Sequence, residues 1–237
     1  MPTYSISDPA VLTFVIIPVL LLAIFTWGVR RAWLVSGATP RAARRAATWS
    51  AAAGAAWMTV TWVLAASGVA RAWERVPPPF AFVVIGVFAL AAAISLSRLG
   101  ARLARLPLWT LVAVQGFRLP LELAMHAMYE RGIMPELMSY SGRNFDIVTG
   151  ASAIAVAALV AIGASGRRLV IVWNLLGSAL LLNVVVVAML ATPVFRYFGE
   201  DQLNIWVAYP PFIWLPGVMV LAALAGHVIV FRSVIQS

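Results

Sequence analysis

Runs of about 20 apolar residues recur along the chain, the length that an α-helix needs to cross roughly 30 Å of bilayer hydrocarbon. Stretches with arginine, proline and glycine separate them, and the alternating pattern of a membrane β-barrel does not occur. We therefore predict an all-α integral membrane protein, a single transmembrane helical domain over residues 1–237. Its seven transmembrane helices are predicted at about 9–29, 47–70, 79–97, 107–129, 146–164, 168–191 and 211–231.

Arginines are divided unevenly between the two sides of this predicted bundle. The connections on one side hold eleven arginines and no acid: Arg30, Arg31, Arg41, Arg44, Arg45, Arg98, Arg102, Arg105, Arg167, Arg168 and Arg232. The other side holds five arginines and seven acids: Arg71, Arg75, Arg131, Arg143 and Arg196 with Asp8, Glu74, Glu130, Glu136, Asp146, Glu200 and Asp201. Because positive charge marks the cytoplasmic side, we predict the N-terminus outside and the C-terminus in the cytoplasm.

Composition agrees with a multi-pass integral membrane protein, which we expect to lie in the bacterial cytoplasmic (inner) membrane. The chain is 63% hydrophobic, and its mean hydropathy is +0.95, too apolar for a soluble domain of 237 residues. The net charge of +9 is explained by arginines flanking the spans, so we expect no nucleic-acid partner. The absence of cysteine excludes disulfides and thiolate chemistry, and the absence of lysine excludes a retinal Schiff base.

The fourth predicted helix carries a polar stripe. At about 100° per residue, Gln115, Arg118, Glu122, His126 and Tyr129 fall within an arc of roughly 80° and extend ~21 Å along one face. Ionisable groups at membrane depth are costly and normally face a bundle interior or a watery cavity. The stripe is therefore the first candidate for a functional site.

The outer connection that follows, residues 130–146, is too polar to span and is expected to lie directly over the stripe. Asn144 or Asp146 would cap the fifth helix in the simpler interpretation. In the functional interpretation the same side chains close the outer mouth of a pocket. The predicted ligand-binding residues are Gln115, Arg118, Glu122, His126, Asn144 and Asp146.

A structural role for Arg118 and Glu122 stays open beside the functional one, because a buried pair four residues apart can serve packing alone. Arginine before glutamate is the less favourable order within a helix, so at least one of them is expected to have another partner. Pro120 between them removes a backbone hydrogen bond and is expected to kink the helix.

Metal and cofactor sites are not expected. The only histidines, His126 and His227, are predicted to lie ~20 Å apart along the membrane normal at 1.5 Å per residue. They cannot share an iron or a zinc ion, and no Gly-x-Ser-x-Gly motif occurs. The sequence assigns no catalytic residue, no metal and no cofactor.

Two stretches resemble an uncharacterised family of bacterial seven-helix membrane proteins, which carry an Arg-x-Pro-x-Glu helix followed by a Gly-x-Asn-x-Asp-Ile loop. They are Phe117-Arg-Leu-Pro-Leu-Glu122 and Met134-Pro-Glu-Leu-Met-Ser-Tyr-Ser-Gly-Arg-Asn-Phe-Asp-Ile147, where Ser139 replaces a threonine of the family. Trp173-Asn174 and Phe212-Ile-Trp-Leu-Pro216 are also similar. The resemblance implies no activity, but it implies that Arg118, Glu122, Asn144 and Asp146 belong to one site.

We expect the protein to bind or transport a small polar or anionic solute through a polar intramembrane pocket on the fourth helix. Two other classes stay open: a non-transporting sensor or partner subunit of a membrane complex, and an intramembrane acid-base enzyme. The expected partners are the lipid bilayer, a small-molecule ligand, and a membrane protein partner or a second copy of the chain.

The predicted topology can be tested by labelling single cysteines, since the chain has none of its own. Cysteines in 36–44 and 98–105 should react only from the cytoplasmic side, and those in 130–143 only from outside. Equal labelling of 36–44 and 130–143 from outside would contradict the assigned orientation.

Overall fold

The computed structural model describes residues 4–5, 7–164 and 166–236, and these residues form helices and loops without a β-strand. The α-helices are α1 Pro9–Val35, α2 Pro40–Ala66, α3 Pro79–Leu96, α4 Arg98–Leu103, α5 Leu108–Val114, α6 Arg118–Glu130, α7 Asp146–Ala161, α8 Arg167–Leu190 and α9 Leu221–Gln236. Helical structure is present in each of the seven segments predicted from the sequence, although several boundaries differ.

Four helical segments are long and apolar enough to cross a membrane: Pro9–Val35, Pro79–Leu96, Arg167–Leu190 and Leu215–Gln236. The protein is therefore a helical membrane protein. Helix α7 is apolar but shorter, and α2 begins with a polar, arginine-rich turn at Pro40. Thr39 caps that turn, since its side-chain oxygen accepts a hydrogen bond from the Ala42 amide at 3.3 Å.

The fourth predicted helix is interrupted at the polar stripe. Helix α5 ends at Val114, a 3₁₀ turn covers Gln115–Phe117, and α6 begins at Arg118. The 3₁₀ turn changes the register of Gln115 relative to α6, so the polar stripe continues along one α-helical face only from Arg118 to Tyr129. Pro120 then lies in the first turn of α6, where its missing N–H costs least.

A glycine allows α7 to pack against the start of α6. A Cβ atom on Gly150 would clash with the Leu119 backbone nitrogen and would lie 2.8 Å from the Arg118 carbonyl carbon. Both are backbone atoms, so a side chain here could be accommodated only by moving one helix. This close approach places the first turn of α7 beside Arg118.

The connection between α6 and α7 folds into the bundle. Ile133, Met134, Leu137 and Met138 are buried and belong to the main apolar core, which also contains Phe14. A connection that is polar overall thus enters the bundle by burying its few apolar side chains. It carries Ser139 and Asn144 inward with them, and both are buried.

A π-helical turn, Leu215–Val220, leads into α9 and is fastened to α2 by two tryptophans. The Trp57 indole donates a hydrogen bond to the Gly217 carbonyl at 2.7 Å, and the Trp214 indole donates one to the Met58 carbonyl at 3.0 Å. These two hydrogen bonds hold the π-helical turn and the residue before it against α2.

The α6–α7 approach predicts that Gly150→Ala lowers the thermal stability of the purified protein by about 1–3 kcal/mol, the usual cost of overpacking. Gly166→Ala is the matched control, because a Cβ atom there has nothing within 4 Å. Gly166 precedes α8, so this control should cost less than about 1 kcal/mol. Thermal unfolding in detergent measures both, and equal effects would contradict the close approach.

Candidate functional site

The site is built around Arg118, the first residue of α6. Its side chain is 0% exposed, and Nη1 donates a hydrogen bond to Oδ1 of Asp146 at 2.9 Å. Asp146 is the first residue of α7, where the positive end of the helix dipole also stabilises its carboxylate. The Arg118 atoms Nε and Nη2 have no hydrogen-bond partner among the described residues. Arg118 therefore retains unused donors deep in the protein.

Asn144 connects the second carboxylate to this pair. Its Nδ2 atom lies 3.0 and 2.8 Å from the two carboxylate oxygens of Glu122 and 3.1 Å from the Met138 carbonyl. Its Oδ1 atom accepts a hydrogen bond from the Asp146 amide at 3.1 Å. Asn144 thus orders the start of α7 and holds Glu122 at the same time.

Arg118, Glu122, Asn144 and Asp146 therefore form one buried network. The ion pair within this network joins Arg118 to Asp146. The hypothesis that Arg118 and Glu122 form an ion pair with each other within the helix is therefore wrong. The expectation that one of them has a partner elsewhere agrees with the observed contacts. Glu122 is left with an amide as its hydrogen-bond partner.

The other two predicted site residues face different neighbours. Gln115 is buried against α9, and its Nε2 atom is 3.4 Å from the Ala223 carbonyl. His126 is partly exposed; its Nδ1 atom lies 2.8 Å from the Ser139 hydroxyl, and its ring stacks on Tyr140 at 4.3 Å. Gln115 thus contacts α9, and His126 contacts the connection between α6 and α7.

A cavity of about 370 Å³ lies beside the network, and all four network residues line it. Its remaining walls come mainly from α3, α8 and the π-helical turn before α9, and they are almost entirely apolar. Among them are Phe80, Val84, Phe88, Val185, Ala188 and Met219. This volume is within the range of small-molecule sites, which commonly combine apolar walls with a few placed polar groups.

Sequence reasoning did not find these apolar walls. Apolar residues that face a cavity and apolar residues that face lipid are alike in hydropathy, so the sequence cannot separate them.

For His227, the sequence predicts a depth along the membrane normal but no neighbours. It is buried between α8 and α9, with Nδ1 2.7 Å from Oδ1 of Asn174, whose Nδ2 donates to the His227 carbonyl at 3.0 Å.

The described residues contain no group of three or more His, Asp or Glu side chains placed to hold a metal ion. What the network offers is a guanidinium with unused donors, a carboxylate that can accept hydrogen bonds, and an adjoining apolar space. Comparison of the chain with protein-family models, with curated proteins and with solved structures finds no match.

The Arg118–Asp146 pairing makes a prediction about stability. Arg118→Met should lower the free energy of unfolding by about 3–5 kcal/mol, because it leaves a buried carboxylate uncompensated. Adding Asp146→Leu should recover most of that loss, whereas adding Glu122→Leu should not. Thermal unfolding of the two double variants in detergent compares them.

Arg196 and Glu200 supply the control. They are paired at 2.7 Å, but their side chains are 58% and 66% exposed, so Arg196→Met should change stability by less than about 1 kcal/mol. Recovery of stability by Glu122→Leu to the same extent as by Asp146→Leu would show that Arg118 has a different partner.

Proposed function

We propose that this is a bacterial inner-membrane protein of seven spans that binds a small molecule with a polar or anionic group against Arg118. The observation that supports this most is the guanidinium itself, which is fully buried, lines a cavity and retains Nε and Nη2 without a partner among the described residues. Charged donors in a low-dielectric interior gain most from an anionic acceptor. A carboxylate or phosphate of a ligand would supply that acceptor.

Seven spans are part of the proposal. Helices α2 and α7 and the α5–α6 segment would complete the bundle begun by the four long apolar helices. The arginine distribution supports the orientation, with the 130–146 connection outside. Membership of the family that shares the Arg-x-Pro-x-Glu helix belongs to the same proposal, and its support is the network formed by those motif residues.

Binding is better supported than conduction. A polar solute crossing the protein would need hydrogen-bonding groups along its path, but outside the network the polar side chains that line the cavity are few, with Thr192 and Asn204 among them. A molecule that places one polar end at Arg118 and its remaining atoms among apolar side chains fits this distribution. Transport would require a second arrangement of the helices.

The sensor or partner-subunit alternative receives less support. In that alternative the outer connection carries the contact with another protein. Its apolar side chains Leu137 and Met138 are instead buried in the core, and Ser139 and Asn144 are buried with them. Much of the connection is therefore occupied within the chain.

A cavity-filling variant tests the proposed function. Hexyl phosphate and hexanoate should raise the melting temperature of the purified protein, because each offers an anionic group for Arg118 and a short chain for the apolar walls. Val84→Trp, which fills the cavity from α3, should abolish the shift. Arg118→Gln should weaken it at least 10-fold in affinity, about 1.4 kcal/mol.

Val63→Trp is the matched control, since Val63 is exposed on α2 and should leave the ligand-dependent shift unchanged. An equal shift in the Val84→Trp variant would mean that the probes bind elsewhere. A parent protein that neither probe stabilises would contradict the proposal.

A further inference from the structure

The cavity reaches the surface of the bundle between two helices that would face lipid. Lining side chains include Ile85 and Phe88 of α3 and Met189 of α8, which are 62%, 41% and 41% exposed. Both helices are among those long and apolar enough to cross a membrane. The opening between α3 and α8 would therefore face bilayer hydrocarbon, and a molecule would enter from the lipid.

The volume of the cavity limits how much of a lipid molecule it can enclose. At about 30 Å³ for each water-sized group, a volume of about 370 Å³ holds roughly a dozen such groups. That is enough for a lipid headgroup with a few methylenes, but it is not enough for two complete acyl chains. The rest of a chain would extend through the opening into the bilayer.

The charged side chains that line the cavity determine which lipid headgroup fits it. Arg118, Glu122 and Asp146 are the ionisable residues that line the cavity, and together they hold one positive and two potential negative charges. Asp146 occupies only Nη1 of Arg118, whereas Glu122 is bonded to the Asn144 amide and has no ion-pair partner among the described residues. A buried carboxylate must be neutralised by a proton or by a cation from outside.

A complementary ligand thus needs two groups: an acceptor for the unused donors of Arg118 and a hydrogen-bonding cation for Glu122. The two residues are one helical turn apart in α6, a rise of ~6 Å at 1.5 Å per residue. A phosphate joined to a primary ammonium by two carbons carries both groups over a similar separation.

From these features, and resting on the proposed function, we infer that the bound molecule is a zwitterionic phosphoethanolamine lipid. Its phosphate lies against Arg118, its ammonium lies against Glu122, and its hydrocarbon chain leaves the cavity between α3 and α8. An anionic glycerol headgroup would leave Glu122 without a cation. A quaternary choline group would have no N–H to donate to the carboxylate.

Single-chain lipids with equal acyl chains test this inference. In detergent solution, native mass spectrometry and thermal shifts should show that lysophosphatidylethanolamine binds the full-length protein at least 10-fold more tightly than lysophosphatidylglycerol. Glu122→Gln should remove this preference while retaining binding through Arg118, because the amide preserves the shape of the side chain but not its charge.

Glu130→Gln is the control, since Glu130 is an exposed carboxylate on the same helix and is not among the lining residues. It should keep the preference of the parent protein. If Glu122→Gln does not fold, the relative affinity of the parent protein for the two lipids still decides. Equal affinity for both headgroups overturns the inference.

The outcomes separate this inference from the proposed function. Lipids that bind with equal affinity, but are excluded by Val84→Trp, would contradict the headgroup assignment and leave binding in the cavity intact. Lipids that bind Val84→Trp as tightly as the parent protein are annular lipids, which overturns the inference. Failure of hexyl phosphate and of both lipids to bind would contradict the proposed function itself.

Discussion

The burial of one arginine within an apolar helix bundle is the constraint on which the surrounding structure depends. Removing a guanidinium from water is tolerable only when a carboxylate and hydrogen-bond acceptors come close to it. Gly150 permits the required approach of α7, and α7 begins at Asp146, where its carboxylate reaches Arg118. Asn144 then fixes the helix start and holds Glu122 with the same amide group.

The same arrangement explains why the network lies beside a cavity rather than in a closed core. Asp146 pairs with a single nitrogen of Arg118, and the apolar walls from α3 and α8 cannot satisfy the others. A purely structural ion pair would be expected to have its remaining donors bonded to protein atoms. The unused donors, together with the adjoining apolar space, are what support a ligand whose polar group meets a hydrocarbon chain.

Some of this could be predicted from the sequence. The length of the apolar runs predicted the helices, and the cost of buried charge singled out Arg118 and Glu122. The pairing of Arg118 with Asp146 joins residues 28 positions apart through a loop that folds inward, and helical periodicity carries no information about such a contact. The 3₁₀ turn at Gln115–Phe117 is not predicted, because the backbone of a single 3₁₀ turn differs little from that of an α-helix and requires no distinctive residue pattern.

If the proposed function is correct, Arg118 holds the polar group of a bound molecule. An experimental density map of the protein in lipid nanodiscs tests it most directly. We expect density that contacts Nε or Nη2 of Arg118 and continues towards the opening between α3 and α8. A map in which protein side chains fill the cavity and complete the hydrogen bonds of Arg118 would contradict it.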